Sequence, residues 1–364
     1  MSRIATLLAA GGMLCVSTAI GLADSISPTN VSATVAVGGS VTVDKTVTVS
    51  AGSPTSATVD VFFLADSTGS MGSVIGSVQS AASSILSSVS GLGNVAFGVG
   101  DYKDYGWGDP YTFHQGTNLT TTAATATTAI GAWSASGGGD YPEAGLYALQ
   151  QVADTTTWRT GSTRLVVWFG DAPSTDPSGP TGITQAQAIA ALTAQGIAVL
   201  AINVGPSNDA YAPFGAGHTG LNDLDQASAV ASATGGAFYD GINASTIVTA
   251  ITNAITTSFA TYSTVGLDVS EAPAGVTVSY SPASYTGAFD RKVDGTFGFT
   301  VTFTGVTAGT YDFNIYGTVD GGRIATEADH IVVGVPDGGS SLLLVGLALS
   351  GLALIRRKMA RTVA

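Results

Sequence analysis

A short stretch around residue 66 brings together side chains that could bind a metal ion. Residues 61 to 74 read VFFLADSTGSMGSV, so an apolar run leads to Asp66, and Thr68 and Ser70 follow at two-residue spacing. Asp, Ser and Thr are common in turns and at helix N-termini, which is one interpretation of the pattern. One carboxylate and two hydroxyls are also oxygen ligands of the kind that hard divalent cations prefer. The elements around the motif must decide between capping and metal binding.

Two further carboxylates stand at comparable positions. Asp171 follows the apolar run RLVVWFG, and Glu143 ends the loop GGGDYPE just before a predicted helix. In an open parallel sheet, ligands collect at the carboxyl ends of the strands, where such loops converge. The combined set of Asp66, Thr68, Ser70, Glu143 and Asp171 contains only oxygen donors, which suits Mg²⁺ or Mn²⁺ and does not suit zinc or copper. Structural alternatives remain open, since Glu143 could simply favour a helix N-terminus and Asp171 could begin a turn.

Strands and helices alternate through the middle of the chain. The apolar stretch 59–65 predicts a strand covered on both faces, and an apolar stripe from Val74 to Val89 predicts an amphipathic helix. The alternation predicts an α/β domain, a Rossmann-like, doubly wound and mostly parallel sheet with helices on both faces. The other predicted elements are strands at 94–99, 164–169, 197–204 and 237–239 and helices at 121–133, 143–153, 185–195, 224–233 and 243–260.

Both flanks of this domain show a period of two instead. Residues 33–50 alternate as ATVAVGGSVTVDKTVTVS, and beyond residue 263 the runs VTVSYS, FGFTVTFTGV and YDFNIYGTV alternate again. Two or three isolated strands are marginal in water, so the N-terminal strands need a partner sheet. We therefore predict one β-sandwich interrupted by the α/β domain. The predicted divisions are 1–23 signal peptide, 24–56 N-terminal strands, 57–262 α/β domain, 263–334 β-sandwich and 335–364 C-terminal signal and tail.

The two ends of the chain indicate export. Arg3, an apolar stretch over 4–22 and small residues at 21–23 are typical of a secretory signal, and the only cysteine, Cys15, lies inside it. Near the other end, Val335-Pro336-Asp337-Gly338-Gly339 precedes an apolar segment shorter than the roughly 20 residues of a relaxed membrane helix, and then the basic run 356–358.

This C-terminal order of motif, hydrophobic helix and basic cluster resembles the VPEP/PEP-CTERM class of bacterial sorting signals in a VPD variant. The resemblance implies processing by an exosortase-type enzyme in a Gram-negative bacterium, after transient anchoring of the helix in the inner membrane. A plain single-span anchor is the alternative. Either interpretation predicts that the body of the protein is secreted, at the cell surface or in the extracellular matrix.

The charge distribution argues against a nucleic-acid partner. All 25 acidic residues lie between Asp24 and Asp337, whereas five of the 12 basic residues lie in the two terminal segments. Such an acidic surface repels phosphate backbones. No G-x-S-x-G or GK[ST] motif is present, so the sequence also predicts that the protein is not an enzyme.

The spacing D-S-T-G-S at 66–70 matches the D-x-[ST]-x-S motif of von Willebrand factor A domains, known as the metal-ion-dependent adhesion site (MIDAS). The stretch GGGDYPEAGLYALQQVADTTTWRTGSTRLVVWFGDAPSTD resembles more specifically the integrin β-subunit I-like domain, which is inserted in an immunoglobulin-like hybrid sandwich. The resemblance covers about residues 57–262. It implies that Asp66, Thr68 and Ser70 hold a metal, that Asp171 binds it directly or through water, and that Glu143 reaches it from the loop.

The same resemblance implies a possible second site, normally for Ca²⁺, that shares the glutamate. Asp140, the backbone at Pro142 and Glu143 match it, and its remaining carboxylate would come from Asp101 or Asp104. Gly138 stands where the family has an asparagine. The acidic pair of the third integrin site is absent, since Gly72-Ser73-Val74 stand in its place just after the motif. The stretch DYKDYGWGD at 101–109 is otherwise interpreted as a solvated loop.

These features predict an adhesion-type binding module. An open coordination position on the metal would take an acidic group, Asp or Glu, from a protein or matrix ligand. One alternative is a structural matrix or surface-layer component in which the metal only stabilises the fold. A metal-dependent hydrolase is a further alternative, although no general base or second tightly placed ion is evident.

Overall fold

The computed structural model describes residues 23–205 and 219–335. The predicted signal peptide, except Ala23, and the predicted C-terminal helix and basic tail lie outside these residues. None of the helices within the two described ranges is long and apolar enough to cross a membrane.

The strands fall into three sheets. They are β1 (Ser25–Ser27), β2 (Asn30–Ala36), β3 (Ser40–Val49), β4 (Ala57–Asp66), β5 (Gly93–Tyr102), β6 (Phe113–Thr120), β7 (Thr163–Gly170), β8 (Ile197–Val204), β9 (Ala237–Ile242), β10 (Thr261–Asp268), β11 (Val276–Ser281), β12 (Tyr285–Asp290), β13 (Gly295–Gly305), β14 (Gly309–Val319) and β15 (Gly322–Gly334). The α-helices are α1 (Gly72–Ser90), α2 (Ala123–Gly131), α3 (Gly145–Thr155), α4 (Gln185–Ala194), α5 (Gln226–Ala233) and α6 (Ile247–Thr257), with 3₁₀ turns at Gly69–Met71 and Gly220–Asp225.

Six strands form the central sheet in the order β6-β5-β4-β7-β8-β9. All neighbours are parallel except β6, which runs antiparallel to β5 at the edge. Helices α1, α2 and α6 pack on one face and α3, α4 and α5 on the other, each set contributing to a separate apolar cluster. The predicted Rossmann-like, doubly wound α/β class is therefore confirmed.

Strand β6 was not among the predicted elements. Its sequence, FHQGTNLT, alternates between half-buried and exposed positions, but only Phe113 and Leu119 are apolar. Because an edge strand packs on one side alone, its inward positions here tolerate Gln115 and Thr117, which hides the period of two. The Thr-rich α2 is present but spans fewer residues than the predicted 121–133.

The remaining nine strands form two facing sheets. One has the order β1-β3-β13-β11, and the other has the order β12-β10-β14-β15-β2. Strands β1 to β3, which precede the α/β domain, pair directly with strands that follow it: β3 with β13 antiparallel, and β2 with β15 parallel. The chain therefore leaves the sandwich after β3, completes the α/β domain, and re-enters at β10.

Candidate metal site

Asp66 occupies the C-terminal end of β4, where the backbone is held between β5 and β7. Its side chain is fully buried, and Oδ1 accepts hydrogen bonds from the Thr68 backbone N at 2.9 Å and the Thr68 hydroxyl at 2.7 Å. Its second oxygen, Oδ2, is buried and has no hydrogen-bond partner among the described residues. The interpretation of the motif as turn chemistry thus accounts for one carboxylate oxygen of Asp66 and leaves the other unexplained.

The ends of β4 and β7 meet through Ser70 and Asp171. The Ser70 hydroxyl donates to Asp171 Oδ1 at 2.9 Å and lies 3.4 Å from the Thr68 hydroxyl oxygen. Asp171 follows Gly170, the last residue of β7, which is parallel to β4. The structure therefore places the two hydroxyls and the two carboxylates in one continuous group of oxygen atoms.

Glu143 reaches the same group from its loop. The sequence predicted it as the first residue of a helix, but α3 begins at Gly145, and Glu143 forms a parallel bridge with Ser174 instead. Its backbone N donates to the Pro173 carbonyl at 2.8 Å, which fixes the loop against the segment after β7. The side-chain oxygen Oε2 is buried without a partner in the described structure. The helix-dipole alternative stays open, because Glu143 directly precedes Ala144, the N-cap residue of α3.

Gly138 explains how the loop can approach the motif so closely. A Cβ at this position would lie 2.8 Å from Glu143 Oε1 and 2.9 Å from Thr68 Cβ, and its φ of +79° lies in the left-handed region. A neighbouring contact, from the Gly69 N to the Gly137 carbonyl at 3.0 Å, ties the loop to the motif. The asparagine expected here from the family pattern would collide with Glu143.

The carboxylates repel one another in a buried setting. Burial, and then the charge of Asp171, raises the pKa of Asp66 from 3.8 to about 7. Burial, and then the charges of Asp66, Asp104 and Asp171, raises the pKa of Glu143 from 4.5 to about 10. Desolvation and the like charges of the neighbouring carboxylates both disfavour the ionised forms of these groups.

Lys103 is close to this site but is committed to other partners. Its ammonium donates to the backbone carbonyls of Ser67 at 2.5 Å, Ser134 at 3.0 Å and Ser136 at 2.6 Å. Lys103 is 1% exposed, as is Asp101. The interpretation of this stretch as a solvated loop is therefore wrong at its start, because Lys103 fastens the loop before Gly137 to the segment after Asp66.

The residues proposed for a second ion separate into two groups. The carboxylate of Asp101 already has partners other than the Asp104 and Asp140 group. Its Oδ2 accepts from the Ser67 hydroxyl at 2.7 Å and the Tyr111 hydroxyl at 2.5 Å, and its Oδ1 lies 3.0 Å from His114 Nδ1. Asp104, in contrast, lies beside the exposed Asp140, and its Oδ2 is buried without a partner among the described residues.

Asp104 is also electrostatically linked to the first site. Burial and the neighbouring Asp140 carboxyl raise the pKa of Asp104 to about 6, and the charge of Asp104 also acts on Glu143. Of the two candidates for the second site, the geometry thus favours Asp104 over Asp101, with Asp140, the half-buried Pro142 and Glu143 close by along the loop.

The cleft above these atoms is open to solvent. The sequence analysis did not single out Asp109. Its Oδ2 accepts a hydrogen bond from the Gly138 N at 3.1 Å and so helps to fix the loop at 137–139. Tyr105 and Trp107, 52% and 60% exposed, stand nearby, with Trp107 against Gly139. The residues lining the cleft are Thr68, Gly69, Ser70, Gly137, Gly138, Asp140, Tyr141, Glu143, Asp171 and Ala172.

Within residues 23–205 and 219–335, no group of three or more His, Cys, Asp or Glu side chains is arranged to hold a metal by itself. Any ion at this cleft would therefore need the hydroxyls of Thr68 and Ser70 in addition to carboxylates. These are the donors that the motif provides, and they suit Mg²⁺ or Mn²⁺ in chemistry.

Two family models match parts of this chain. The family model described as von Willebrand factor A domain matches residues 60–240, and the VPDSG-CTERM motif matches residues 334–359. No match is found among curated proteins.

Several solved structures show a distant likeness to this chain. A von Willebrand factor type A protein from Catenulispora acidiphila is 14% identical, with a TM-score of 0.43, 88% of this chain covered and 76% of that one. BatB from Bacteroides thetaiotaomicron is 18% identical, with a TM-score of 0.40, 55% of this chain covered and 98% of that one. The pilus adhesin SpaC from Lactobacillus rhamnosus GG is 12% identical, with a TM-score of 0.44, 81% of this chain covered and 45% of that one.

Proposed function

Residues 60–240 are a von Willebrand factor A domain and residues 334–359 carry a VPDSG-CTERM motif, and from this premise we propose a secreted or surface protein that binds its partner through a divalent cation. The ion would be Mg²⁺ or Mn²⁺, held by Asp66, Thr68, Ser70, Glu143 and Asp171. The partner would be a protein or matrix component that presents an Asp- or Glu-like carboxylate. Binding, not catalysis, is the proposed role of the cleft.

The observation that carries this proposal is a pair of unsatisfied oxygens. Asp66 Oδ2 and Glu143 Oε2 are both buried without a hydrogen-bond partner in the described structure, at the edge of an open cleft. A buried carboxylate without a partner is strongly unfavourable. Both oxygens could bind a cation at this position, and its positive charge would lower the pKa of both carboxyl groups.

The side chains around the proposed ion would have different roles. The neutral hydroxyls of Thr68 and Ser70 add oxygen without adding negative charge, and the hydrogen bond from Ser70 to Asp171 holds the ends of β4 and β7 together. When bound, the ion would supply an electrophilic coordination position for the carboxylate of the partner. The Lys103 contacts to backbone carbonyls keep the loop before Gly137 in place while a partner docks.

A second ion, Ca²⁺, is proposed beside the first. Asp104, with one buried and unpartnered oxygen, lies next to Asp140 and acts electrostatically on Glu143. Carboxylate and backbone oxygens in a flexible loop are the donors that Ca²⁺ prefers. The backbone of Pro142 would complete this set.

The C-terminal motif points to processing by a sorting enzyme. We propose an exosortase-type enzyme in a Gram-negative bacterium, with the apolar segment after Gly339 held in the inner membrane before processing. Membership of the integrin β-type subclass stays a prediction from the GGGDYPE and WFGD stretches.

Calorimetric titration of the full chain with Mg²⁺ and Mn²⁺, after treatment with EDTA, tests the metal. Wild type and the control Asp312→Ala, which removes a carboxylate with a side chain 76% exposed on the sandwich, should bind one ion tightly. Asp66→Ala should lose at least tenfold in affinity, because it removes the central carboxylate. Equal affinity of Asp66→Ala and wild type would refute the proposed ligand set.

Binding of a carboxylate partner is tested separately with immobilised protein and two soluble polymers. Polyglutamate should be retained in Mg²⁺ and released by EDTA, whereas polyglutamine should not be retained. Retention of both polymers, or retention in EDTA, would contradict a metal–carboxylate contact. Stabilisation by Mg²⁺ without retention of either polymer or of any matrix component would favour a structural role, and turnover of phosphate or ester substrates that Asp66→Ala abolishes would favour a hydrolase.

A further inference from the structure

Three ionisable side chains meet inside the β-sandwich, outside the cleft. Lys45 points inward from β3, and Glu327 and Asp329 point inward from β15 in the facing sheet. The side chains of all three are 0% exposed. The Lys45 ammonium contacts Glu327 Oε1 directly and lies 3.5 Å from Asp329 Oδ1.

The surroundings of this cluster are apolar. The Lys45 Nζ lies 5.2 Å from the centre of the Phe303 ring. In the strand register, Phe299 stands beside Lys45, Ile315 beside Glu327 and Phe313 beside Asp329, and each of these apolar residues is buried. Glu327 Oε2 and Asp329 Oδ2 have no hydrogen-bond partner in the described part of the chain.

The charges in this cluster do not balance. One ammonium faces two carboxyl groups, so full ionisation would leave a buried net negative charge. Burial raises the pKa of both Glu327 and Asp329, which favours their protonated forms. A buried ion pair is itself weakly favourable at best, because its desolvation offsets most of the attraction. An amine and a carboxyl group held in contact in a dry interior are also well placed to react with each other, since fixed proximity replaces an encounter in solution.

We propose that Lys45 and Glu327 condense to an intramolecular amide crosslink, with Asp329 as the proton carrier. Proton transfer from the ammonium to the carboxylate gives a neutral amine and a carboxylic acid. The Nζ lone pair forms a bond to Cδ of Glu327. Asp329, protonated at the start, gives its proton to a hydroxyl on Cδ as the C–O bond breaks and takes one proton back from the nitrogen, so it ends protonated. One water molecule leaves, and no oxidant or reductant is needed.

The product suits its environment better than the reactants do. A neutral amide replaces two groups that are costly to bury as ions. The protonated Asp329 can then donate a hydrogen bond to the amide carbonyl. A disulfide cannot serve this role, because the only cysteine of the chain is Cys15 in the predicted signal peptide. The crosslinked residues are 282 positions apart, so the closed ring contains the entire A domain.

Peptide mass spectrometry on the full chain, denatured and digested, tests the crosslink. We expect one product that joins the β3 peptide to the β15 peptide, with a mass one water molecule below the sum of the two and fragment ions that place the link between Lys45 and Glu327. Lys45→Arg keeps the positive charge but should abolish this product. Lys292→Arg, at an exposed lysine of the same sandwich, should leave it unchanged.

A second measurement does not depend on any variant folding correctly. Wild-type protein cut by a protease inside the A domain should still migrate as one species in denaturing gels, because the ring holds the two pieces together. In a separate comparison by mass spectrometry, Asp329→Ala should reduce the crosslinked fraction at least tenfold in freshly made protein. Separate, unlinked β3 and β15 peptides in wild type would overturn the proposal, and a link to Asp329 would overturn the assignment of the acyl group to Glu327.

Discussion

Replacing Asp66 with asparagine should change the stability of the A domain in opposite directions with and without metal. Asparagine keeps an oxygen that can accept from the Thr68 N and hydroxyl, but it cannot ionise. In EDTA at pH 8, Asp66→Asn should therefore be more stable than wild type. In Mg²⁺ it should be less stable, because the ion loses its central carboxylate.

The magnitude follows from the pKa of the buried carboxyl group. The pKa of Asp66 is about 7 in the folded protein, against 3.8 for an unperturbed aspartate. The folded state therefore holds the Asp66 proton more tightly than the unfolded state does. The contribution of Asp66 to the free energy of unfolding is fully present below about pH 4 and is lost as the pH rises through about 7. This loss lowers the free energy of unfolding by about 4 kcal/mol. An amide group without a full set of partners costs about 1–2 kcal/mol. A net gain of about 2 kcal/mol for Asp66→Asn at pH 8, and a loss at pH 4, is expected in EDTA.

Urea unfolding followed by tryptophan fluorescence measures this change in one domain. All four tryptophans, at positions 107, 133, 158 and 168, lie in the A domain, so the signal does not report on the sandwich. The matched control is Asp60→Asn on the same strand. Asp60 is equally buried, but it accepts from the Arg159 N at 2.9 Å and Nε at 2.5 Å and from the Ser162 hydroxyl at 2.8 Å.

Asp60→Asn should destabilise the domain by about 3 kcal/mol at pH 8 in both EDTA and Mg²⁺, because it removes the buried charge that pairs with the half-buried Arg159. The reasoning about the cleft would be refuted if Asp66→Asn behaved in the same way as Asp60→Asn. It would also be refuted if the difference between Asp66→Asn and wild type in EDTA did not depend on pH.

Further expectations concern packing and the sandwich. Gly236→Ala should destabilise the A domain by about 2–3 kcal/mol in urea unfolding, because its Cβ would lie 1.9 Å from the Val199 carbonyl oxygen on the neighbouring strand. Gly76→Ala, in α1 with open space around the new Cβ, should instead stabilise it by about 0.5–1 kcal/mol. Asp24→Ala should destabilise the sandwich by about 3–5 kcal/mol in thermal unfolding, because Arg291, which is 4% exposed and pairs with Asp24 at 3.1 Å, would be left buried without its partner.

The elements with a strong periodic pattern were predictable from the sequence. The apolar run before Asp66 became β4, and the stripe from Val74 to Val89 became α1, because burial on two faces or on one stripe leaves a direct signature. The alternating runs on both sides of the A domain became the two facing sheets. Strand β6 carried no such signature, since it lies at an edge and its inward positions are half polar.

The candidate site was predictable only for residues that lie close together in the sequence. Asp66, Thr68 and Ser70 come from one segment, so their proximity follows from the motif. The roles of Lys103 and Asp109 do not, because their partners are backbone groups from loops more than twenty-five residues away. Hydrogen bonds of this kind depend on how two loops fold against each other, and no pattern within either loop encodes them.

Insertion of the A domain between β3 and β10 has a mechanical consequence. A partner held at the cleft and a C-terminal attachment beyond Gly334 would put the chain between them under tension. The tension would leave the A domain through two covalent connections, one into β3 and one into β10. The proposed Lys45–Glu327 amide would pass the load that enters β3 directly to β15, so the hydrogen bonds from β15 to β14 and β2 would carry only the rest.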